Sequence, residues 1–371
     1  MKVLTVLPQG GLWGGPLAGF RMARALAARG VKQELCLGTE GPILEEARAA
    51  GFPVHRIEAE KKAPSRVVSA LLLLYKRKPH LVHAHSLLGL SRDFAVAARI
   101  LGIPLVWHLH EDLTFPRYKR RLSSVRLLST LAVAVSKVQL PHLGGTKAIH
   151  LPNGVDPQAF PPPSEEDRAL ARKALGLEGN PFLVLALGRI SPDKGSDLLC
   201  RALERARERE ERIFGLFAGR GKEEDLADLR RVLERGDPPL GRILPPSRQV
   251  LPLLHAADLL VLPSLRENCP LVVLEALSTE LPVLATPEGD VPRILSGGRG
   301  GRFLPPRKGL DRETLASFLV RACRGGGPSR EKEGKKGREL ILRHYALSDR
   351  AARLHHIFRN LAGDTMEEPS R

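Results

Sequence analysis

Cysteine is scarce in this chain. Cys36, Cys200, Cys269 and Cys323 are the only four in 371 residues, and none stands in a Cys-x-x-Cys pair. Neither a disulfide framework nor a cysteine zinc site is therefore expected. Aromatic residues are sparse too, at 4%. No basic tract is interleaved with stacking side chains, as single-strand nucleic-acid binders require. The longest apolar runs, such as Leu71 to Leu74, fall far short of a membrane span. Met1 to Leu7 carries one lysine and a very short apolar stretch, too little for a signal peptide. The expectation is a cytoplasmic protein that touches a membrane, if at all, from outside the bilayer, on the inner face.

Acidic residues are the other shortage, and it is local. The whole chain has a formal charge of +17, but residues 1–155 hold 22 Lys/Arg against 9 Asp/Glu, a net +13, and the remainder only +4. The excess gathers at Lys61–Lys62, Lys76–Arg77–Lys78 and Arg117–Lys119–Arg120–Arg121, with Arg126 close by. Such asymmetry suits a docking face for an anionic partner, and it equally suits a solvated, arginine-rich surface. With 43% apolar residues the chain can bury a sizeable core, and at roughly 150 residues per domain it should form two domains.

The pattern along the chain is strand, helix, strand, repeated. Val3 to Leu7 is an apolar run ended by Pro8 and the glycine-rich stretch Gly10-Gly11-Leu12-Trp13-Gly14-Gly15. A helix follows, with Phe20, Ala23, Leu26 and Ala27 on one face and Gly30 at its end. Further strand-like runs are Glu34–Leu37, Leu81–His85, Leu105–Leu109, Leu131–Val135 and Ala148–Leu151. Asn153–Asp156 and Pro161-Pro162-Pro163 mark a turn and a stiff linker. A second series has strands at Phe182–Leu187, Ile213–Ala218, Asp258–Leu262 and Pro282–Ala285. Strands alternating with helices predict parallel sheets, so the fold class is α/β, with two doubly wound domains facing a cleft. Residues 324–338, rich in Gly and Lys, read as a loop before a last helix at Leu347–Leu361.

Three clusters carry chemistry. Gly188-Arg189-Ile190-Ser191-Pro192-Asp193-Lys194-Gly195 follows a strand and opens a helix. A helix N-terminus with Arg189 and Lys194 beside it suits a diphosphate, although an Arg and a Lys near a turn are also ordinary surface residues. Glu267 and Glu275 flank Pro270, which places the first on a loop and the second inside a helix; both then suit sugar hydroxyls, or a plain surface and helix role. His83-Ala84-His85 and His108-Leu109-His110 each put two imidazoles on one strand face. Such pairs ligate metal in some hydrolases, whereas strand-end histidines satisfied by hydrogen bonds need no metal.

In order and spacing these segments resemble the GT-B glycosyltransferases of family 4, retaining enzymes. The resemblance runs along nearly the whole chain: the glycine-rich loop, LVHAHS, the strand ending in His110, LPNGVD followed by Phe160, GRISPDKG, AADLLVLPS, the E-x7-E pair Glu267/Glu275, LPVLAT and GDVPRIL. It implies a GT-B fold: an acceptor domain at 1–160, with 347–371 packing back onto it, and a donor domain at 161–346.

It further implies a nucleotide-sugar donor as co-substrate, with no cofactor and no metal. Arg189 and Lys194 would neutralise the leaving diphosphate and Glu275 would meet the ribose. Glu267 would hold the donor sugar, assisted by backbone N–H groups near Cys269 and Leu271. His110 would face the sugar and Gly11 would border the phosphates. The implied acceptor is a glycan or lipid-linked cell-envelope saccharide, and nucleic acid is not an implied partner.

Five residues depart from the family's usual pattern: Asn268-Cys269-Pro270 stands where many members have Gly-Phe-Gly, with Pro270 lacking an N–H, Glu280 replaces a glycine, and Arg220 an acidic residue. Two other readings stay open on the residues alone: a metal-dependent hydrolase built on the paired histidines, and a non-catalytic, basic nucleic-acid-binding protein.

Overall fold

The computed structural model describes every residue except Ala59, Lys61, Gly236, Arg299 and 364–371. Lys61 and the tail of the expected 347–371 segment thus lie outside the described residues, as does the side chain of Arg117. The chain divides into two units, Met1–Gly154 with Leu347–Arg371, and Val155–Ala346.

The first unit is a seven-stranded parallel sheet. Its strands are β1 (Lys2–Leu7), β2 (Lys32–Leu37), β3 (Val54–Arg56), β4 (Leu81–His85), β5 (Leu105–Leu109), β6 (Leu131–Ala134) and β7 (Ala148–His150), in the order β3-β2-β1-β4-β5-β6-β7. One face carries Leu4, Val82, Ala84 and Trp107, packed with Leu74, Phe94 and Val125 from three helices. The opposite face carries Val3 and Val106, packed with Met22 and Leu26 and with Leu354 and Phe358 of the helix Leu347–Leu361. Strand β3 escapes the sequence pattern because it has only three residues. Its His55 instead pairs with Glu34 of β2, at 2.8 Å.

The second unit repeats the order with six strands, again all parallel. They are β8 (Phe182–Leu187), β9 (Ile213–Ala218), β10 (Gly241–Leu244), β11 (Leu259–Leu262), β12 (Val283–Ala285) and β13 (Gly301–Phe303), ordered β10-β9-β8-β11-β12-β13. Asp258, buried at the head of β11, accepts hydrogen bonds from Leu183 N (2.8 Å), Arg168 Nη2 (2.7 Å) and Arg172 Nη1 (3.2 Å), and it also pairs with Arg330. One carboxylate therefore ties the helix Glu165–Ala174 and the helix Gly326–His344 to the sheet. Removing it would leave buried guanidinium groups uncompensated.

Two expectations are corrected. The boundary at residue 160 moves to Gly154/Val155. Val155 bridges to Ala346, and the Phe160 carbonyl accepts from Ser278 Oγ (2.8 Å) and Arg338 Nη1 (3.2 Å), all within the second unit. Residues 324–338 are not a loop, since Gly326–His344 is a 19-residue helix. Packing overrides propensity there. A Cβ at Gly334 would sit 2.1 Å from the Glu280 carbonyl oxygen, and one at Gly337 2.8 Å from Leu277 Cδ2. The glycines let this helix lie against its neighbours.

An alanine in a helix interior ordinarily gains about 1 kcal/mol over glycine. Here the contact reverses the sign, so Gly334→Ala lowers the unfolding free energy by about 1–3 kcal/mol in a denaturant titration. A gain would show that the close approach is not needed.

Candidate functional site

In both sheets the strand order reverses beside the first strand of the unit, at β1/β4 and at β8/β11. Loops at the carboxyl ends of those strands form the ligand-binding crevice of such sheets. All of the expected site residues except Glu275 lie on these loops, on the loop after β5, or at the first residue of the helix that follows.

In the second unit, the loop after β8 ends in a short 3-10 turn, Pro192–Lys194, and Gly195 then opens the helix Ser196–Arg207. The loop after β11 passes alongside. Leu265 N donates to Asp193 O at 2.8 Å, and a Cβ on Gly195, whose φ is +74°, would meet Pro263 O at 2.2 Å. That approach brings Lys194 Nζ to 2.6 Å from Glu267 Oε1, which also accepts from Ser264 Oγ at 2.8 Å. Arg189 lies at the surface, paired with Asp193 at 2.5 Å. Ser191 Oγ is buried and has no hydrogen-bond partner among the described residues.

The structure thus brings Arg189, Lys194 and Glu267 into one loop pair. Cys269 and Leu271 are buried where the helix Leu271–Ser278 begins, with Pro270 at its N-cap, and Glu275 is buried within that helix. Ser264 and the turn at Gly289–Asp290 went unread in sequence. Asp290 N donates to Asn268 O at 2.6 Å, and a Cβ on Gly289 would sit 2.3 Å from Glu267 O, so that turn buttresses the glutamate loop. The signal was the motif GDVPRIL itself, whose glycine marks a close approach.

In the first unit, Gly11 is covered by the Trp13 indole, which a Cβ there would meet at 1.7 Å. The glycine accommodates the ring. His110 closes a row of four imidazoles. His110 Nε2 lies 3.0 Å from His85 Nδ1, His85 Nε2 3.3 Å from His83 Nδ1, and His83 Nε2 3.2 Å from His108 Nδ1. The helix Gly14–Ala27 lies over the row through its glycines. A Cβ on Gly19 would reach 2.8 Å from His85 Nδ1, and one on Gly15 3.2 Å from His110 Cβ. Burial pushes His83 down to about 3 and His110 to about 4, and holds His85 and His108 well below the usual range. All four rings are therefore neutral at neutral pH.

Each neutral ring has one proton, so the row has two concerted states. Either every ring is protonated on Nδ1, leaving His108 Nε2 a bare lone pair, or every ring is protonated on Nε2, burying the His108 N–H. His108 Nε2 is buried and without a partner among the described residues. Orphaned buried N–H groups are the rarer kind, so the Nδ1 state is favoured.

His83, His85 and His108 lie close enough to hold a metal ion, with one ring nitrogen from each within 4.8 Å of the others. Imidazole–imidazole hydrogen bonds already engage five of the six ring nitrogens of these three residues, all but His108 Nε2. Beside the row, Glu111 was also unread in sequence. Its carboxylate accepts from Ser86 Oγ, Leu87 N (2.8 Å) and His110 N (3.2 Å), and burial raises its pKa.

Two family profiles match the chain: one described as "Glycosyl transferase 4-like domain" over residues 20–137, and one as "Glycosyl transferases group 1" over residues 181–324. The chain thus carries a glycosyltransferase 4-like domain followed by a group 1 glycosyltransferase domain. A D-inositol 3-phosphate glycosyltransferase of Mycobacteroides abscessus is 33% identical over 180 residues, 48% of this chain and 40% of that protein. The UDP-Gal:alpha-D-GlcNAc-diphosphoundecaprenol alpha-1,3-galactosyltransferase of Escherichia coli is 30% identical over 243 residues, 59% of this chain and 61% of that protein. The matched stretches thus cover less than two thirds of either relative's length. The solved structure of Anabaena Alr3699/HepE in complex with UDP-glucose superposes with a TM-score of 0.85 at 20% identity, covering 97% of this chain and all of the other. That likeness is one of fold, and this chain has the GT-B fold.

The row of imidazoles is testable directly. In a long-range 1H–15N spectrum of ring-labelled protein at neutral pH, His83, His85, His108 and His110 should all show the Nδ1-protonated pattern. Nε2-protonated rings would mean that the row runs the other way.

Proposed function

We propose that this chain transfers a sugar from a nucleotide-diphosphate donor to an acceptor hydroxyl, retaining the anomeric configuration and using no metal ion. The observation that carries this reading is the meeting of Lys194 and Glu267, 2.6 Å apart on the two loops at the β8/β11 switch point. Arg189 and the start of the helix Ser196–Arg207 lie beside them. As the bond between the sugar and the phosphate breaks, charge builds on the diphosphate. Lys194, Arg189 and the helix N-terminus stabilise that charge where it develops, which is the task a divalent cation would otherwise perform.

The Ser191 hydroxyl gives the diphosphate a donor. Glu267 takes the sugar hydroxyls, with the N–H groups of Cys269 and Leu271 beside it, and Glu275 takes the ribose. The acceptor oxygen attacks the anomeric carbon on the face the phosphate leaves, and the departing phosphate oxygen takes its proton. The neighbouring fold holds UDP-glucose, which makes a uridine nucleotide the first donor to try.

The acceptor is assigned to the basic first unit as a phosphorylated or lipid-linked saccharide. The names of the two relatives support it: one acts on an inositol phosphate, the other on a diphosphoundecaprenol. Among the described residues no helix is long and apolar enough to cross a membrane. The helix Ala63–Arg77 nevertheless exposes Val68, Leu72 and Tyr75 at helical spacing, next to the exposed cations Lys62, Lys76 and Lys78. An apolar stripe flanked by basic residues fits peripheral contact with anionic lipid.

Lys194→Ala should lower kcat by about 10²–10³-fold, while a chelator leaves the wild-type rate unchanged. The product's anomeric coupling constant should match that of the donor. A chelator-sensitive rate or an inverted product would overturn the corresponding part of the proposal. Separately, the protein should co-sediment with phosphatidylglycerol vesicles at low salt and be released as salt rises. Leu72→Asp should weaken that binding, and failure of the wild type to sediment would refute the membrane contact.

A further inference from the structure

The first unit contains a cavity that none of the expected site residues touches. It has a volume of about 240 Å³, and three guanidinium groups line it, those of Arg66, Arg92 and Arg121, together with Gly89 and Ser124. It opens at the carboxyl end of β4, where the 12-residue helix Gly89–Ile100 begins. This is the β1/β4 crevice side of the unit. The helix has no acidic residue in its first turn and no side-chain cap, so no side chain caps its first N–H groups.

Each arginine arrives from a different element. Arg66 comes from the helix Ala63–Arg77 and is held by Asp93 at 2.5 Å, with its side chain only 12% exposed. A Cβ on Gly89 would lie 3.0 Å from Arg66 Nη2, so glycine there lets the guanidinium cross the start of the helix. Arg121, from the helix Pro116–Leu128, donates to Leu87 O at 2.9 Å and lies over the Tyr118 ring at 6.0 Å. Arg92 is exposed at the rim.

Against these three cations the surroundings supply the Asp93 carboxylate, one oxygen of which holds Arg66 while the other has no partner among the described residues. Glu111, on the loop after β5, is engaged with Ser86, Leu87 and His110 N–H, and burial raises its pKa. Three guanidinium groups and a helix N-terminus around one carboxylate repel one another unless an anion joins them.

We propose that this cavity binds the phosphate or diphosphate group of the acceptor. The assignment rests on the reading that the first unit receives the acceptor, and it gives that acceptor its chemistry. The planar forks of Arg92 and Arg121 offer paired N–H donors to a tetrahedral phosphate, and the helix N-terminus adds backbone N–H groups. The +13 charge of residues 1–155 then has a focus, a cavity in which phosphate is concentrated.

The test is calorimetric titration of inorganic pyrophosphate into Lys194→Ala protein at constant ionic strength. That background removes the lysine assigned to the donor diphosphate. One binding event should remain, and adding Arg92→Ala or Arg121→Gln should weaken it about tenfold or more. Arg92 is exposed, so its replacement does not endanger folding; the circular dichroism of the Arg121 variant checks the other. Absence of binding at millimolar pyrophosphate, or binding indifferent to Arg92→Ala, overturns the proposal.

Competition separates the two sources of the phosphate. Displacement of pyrophosphate by a soluble hexose phosphate marks a soluble acceptor, and displacement by phosphatidylglycerol vesicles marks a lipid headgroup. Displacement by neither overturns the assignment to an acceptor phosphate. Pyrophosphate binding does not require sugar transfer. If the wild type binds pyrophosphate here yet transfers no sugar, the transferase reading fails and the site stands.

Discussion

Two loops of the second unit must approach one another closely, and the placement of its chemistry depends on that approach. The loop after β8 and the loop after β11 come together because residue 195 has no side chain. The Leu265 N–H and the Asp193 carbonyl then clamp them. Lys194 and Glu267 are thereby held 2.6 Å apart. Neither residue would be distinctive elsewhere, since a surface ion pair contributes at most about 1 kcal/mol. Here the pair sits where the strand order reverses, and in the proposed reading its cation and carboxylate have opposite tasks, one toward a phosphate and one toward hydroxyls. The ion pair keeps both charges balanced in the resting protein.

The first unit uses the same device of close approach with a different content. Glycines 15 and 19 remove the side chains that would strike His110 and His85, so a helix closes over four mutually bonded imidazoles. Burial keeps those rings neutral. A neutral row bonded end to end fixes where each proton resides, so His110 meets its surroundings in one tautomer rather than two. On the far face of the same sheet Trp107 fills the core and its N–H bonds to Ser86 O, below the cavity that the arginines line. The two faces of one strand pair thus serve different chemistry.

Much of this was legible in the residues. The alternation of apolar runs and helical stretches gave the two parallel sheets, and the loop positions of Arg189, Lys194 and Glu267 followed from Gly188, Gly195 and Pro270. What was not legible depended on contacts between distant segments. The glycine-rich stretch 324–338 read as a loop because helix propensity is local, whereas Gly334 and Gly337 serve a helix contact with Glu280 and Leu277. The three-residue strand Val54–Arg56 has too few residues to show alternation. The histidine pairs were visible as a strand-face pattern, but their linkage into one row depends on the register that sets His85 opposite His108. Gly11 was legible as a glycine with a purpose. Its partner, the Trp13 ring, was not.

The central claim is that the Lys194–Glu267 loop pair holds a nucleoside diphosphate. The most direct measurement is calorimetric titration of the purified protein with UDP, GDP and ADP, each with and without a linked sugar and in the presence of a chelator, repeated on Lys194→Ala. The account predicts that one nucleotide binds, that the chelator leaves its affinity unchanged, and that the lysine variant loses it by about tenfold or more. Binding of none of them, or binding that ignores Lys194, would contradict it.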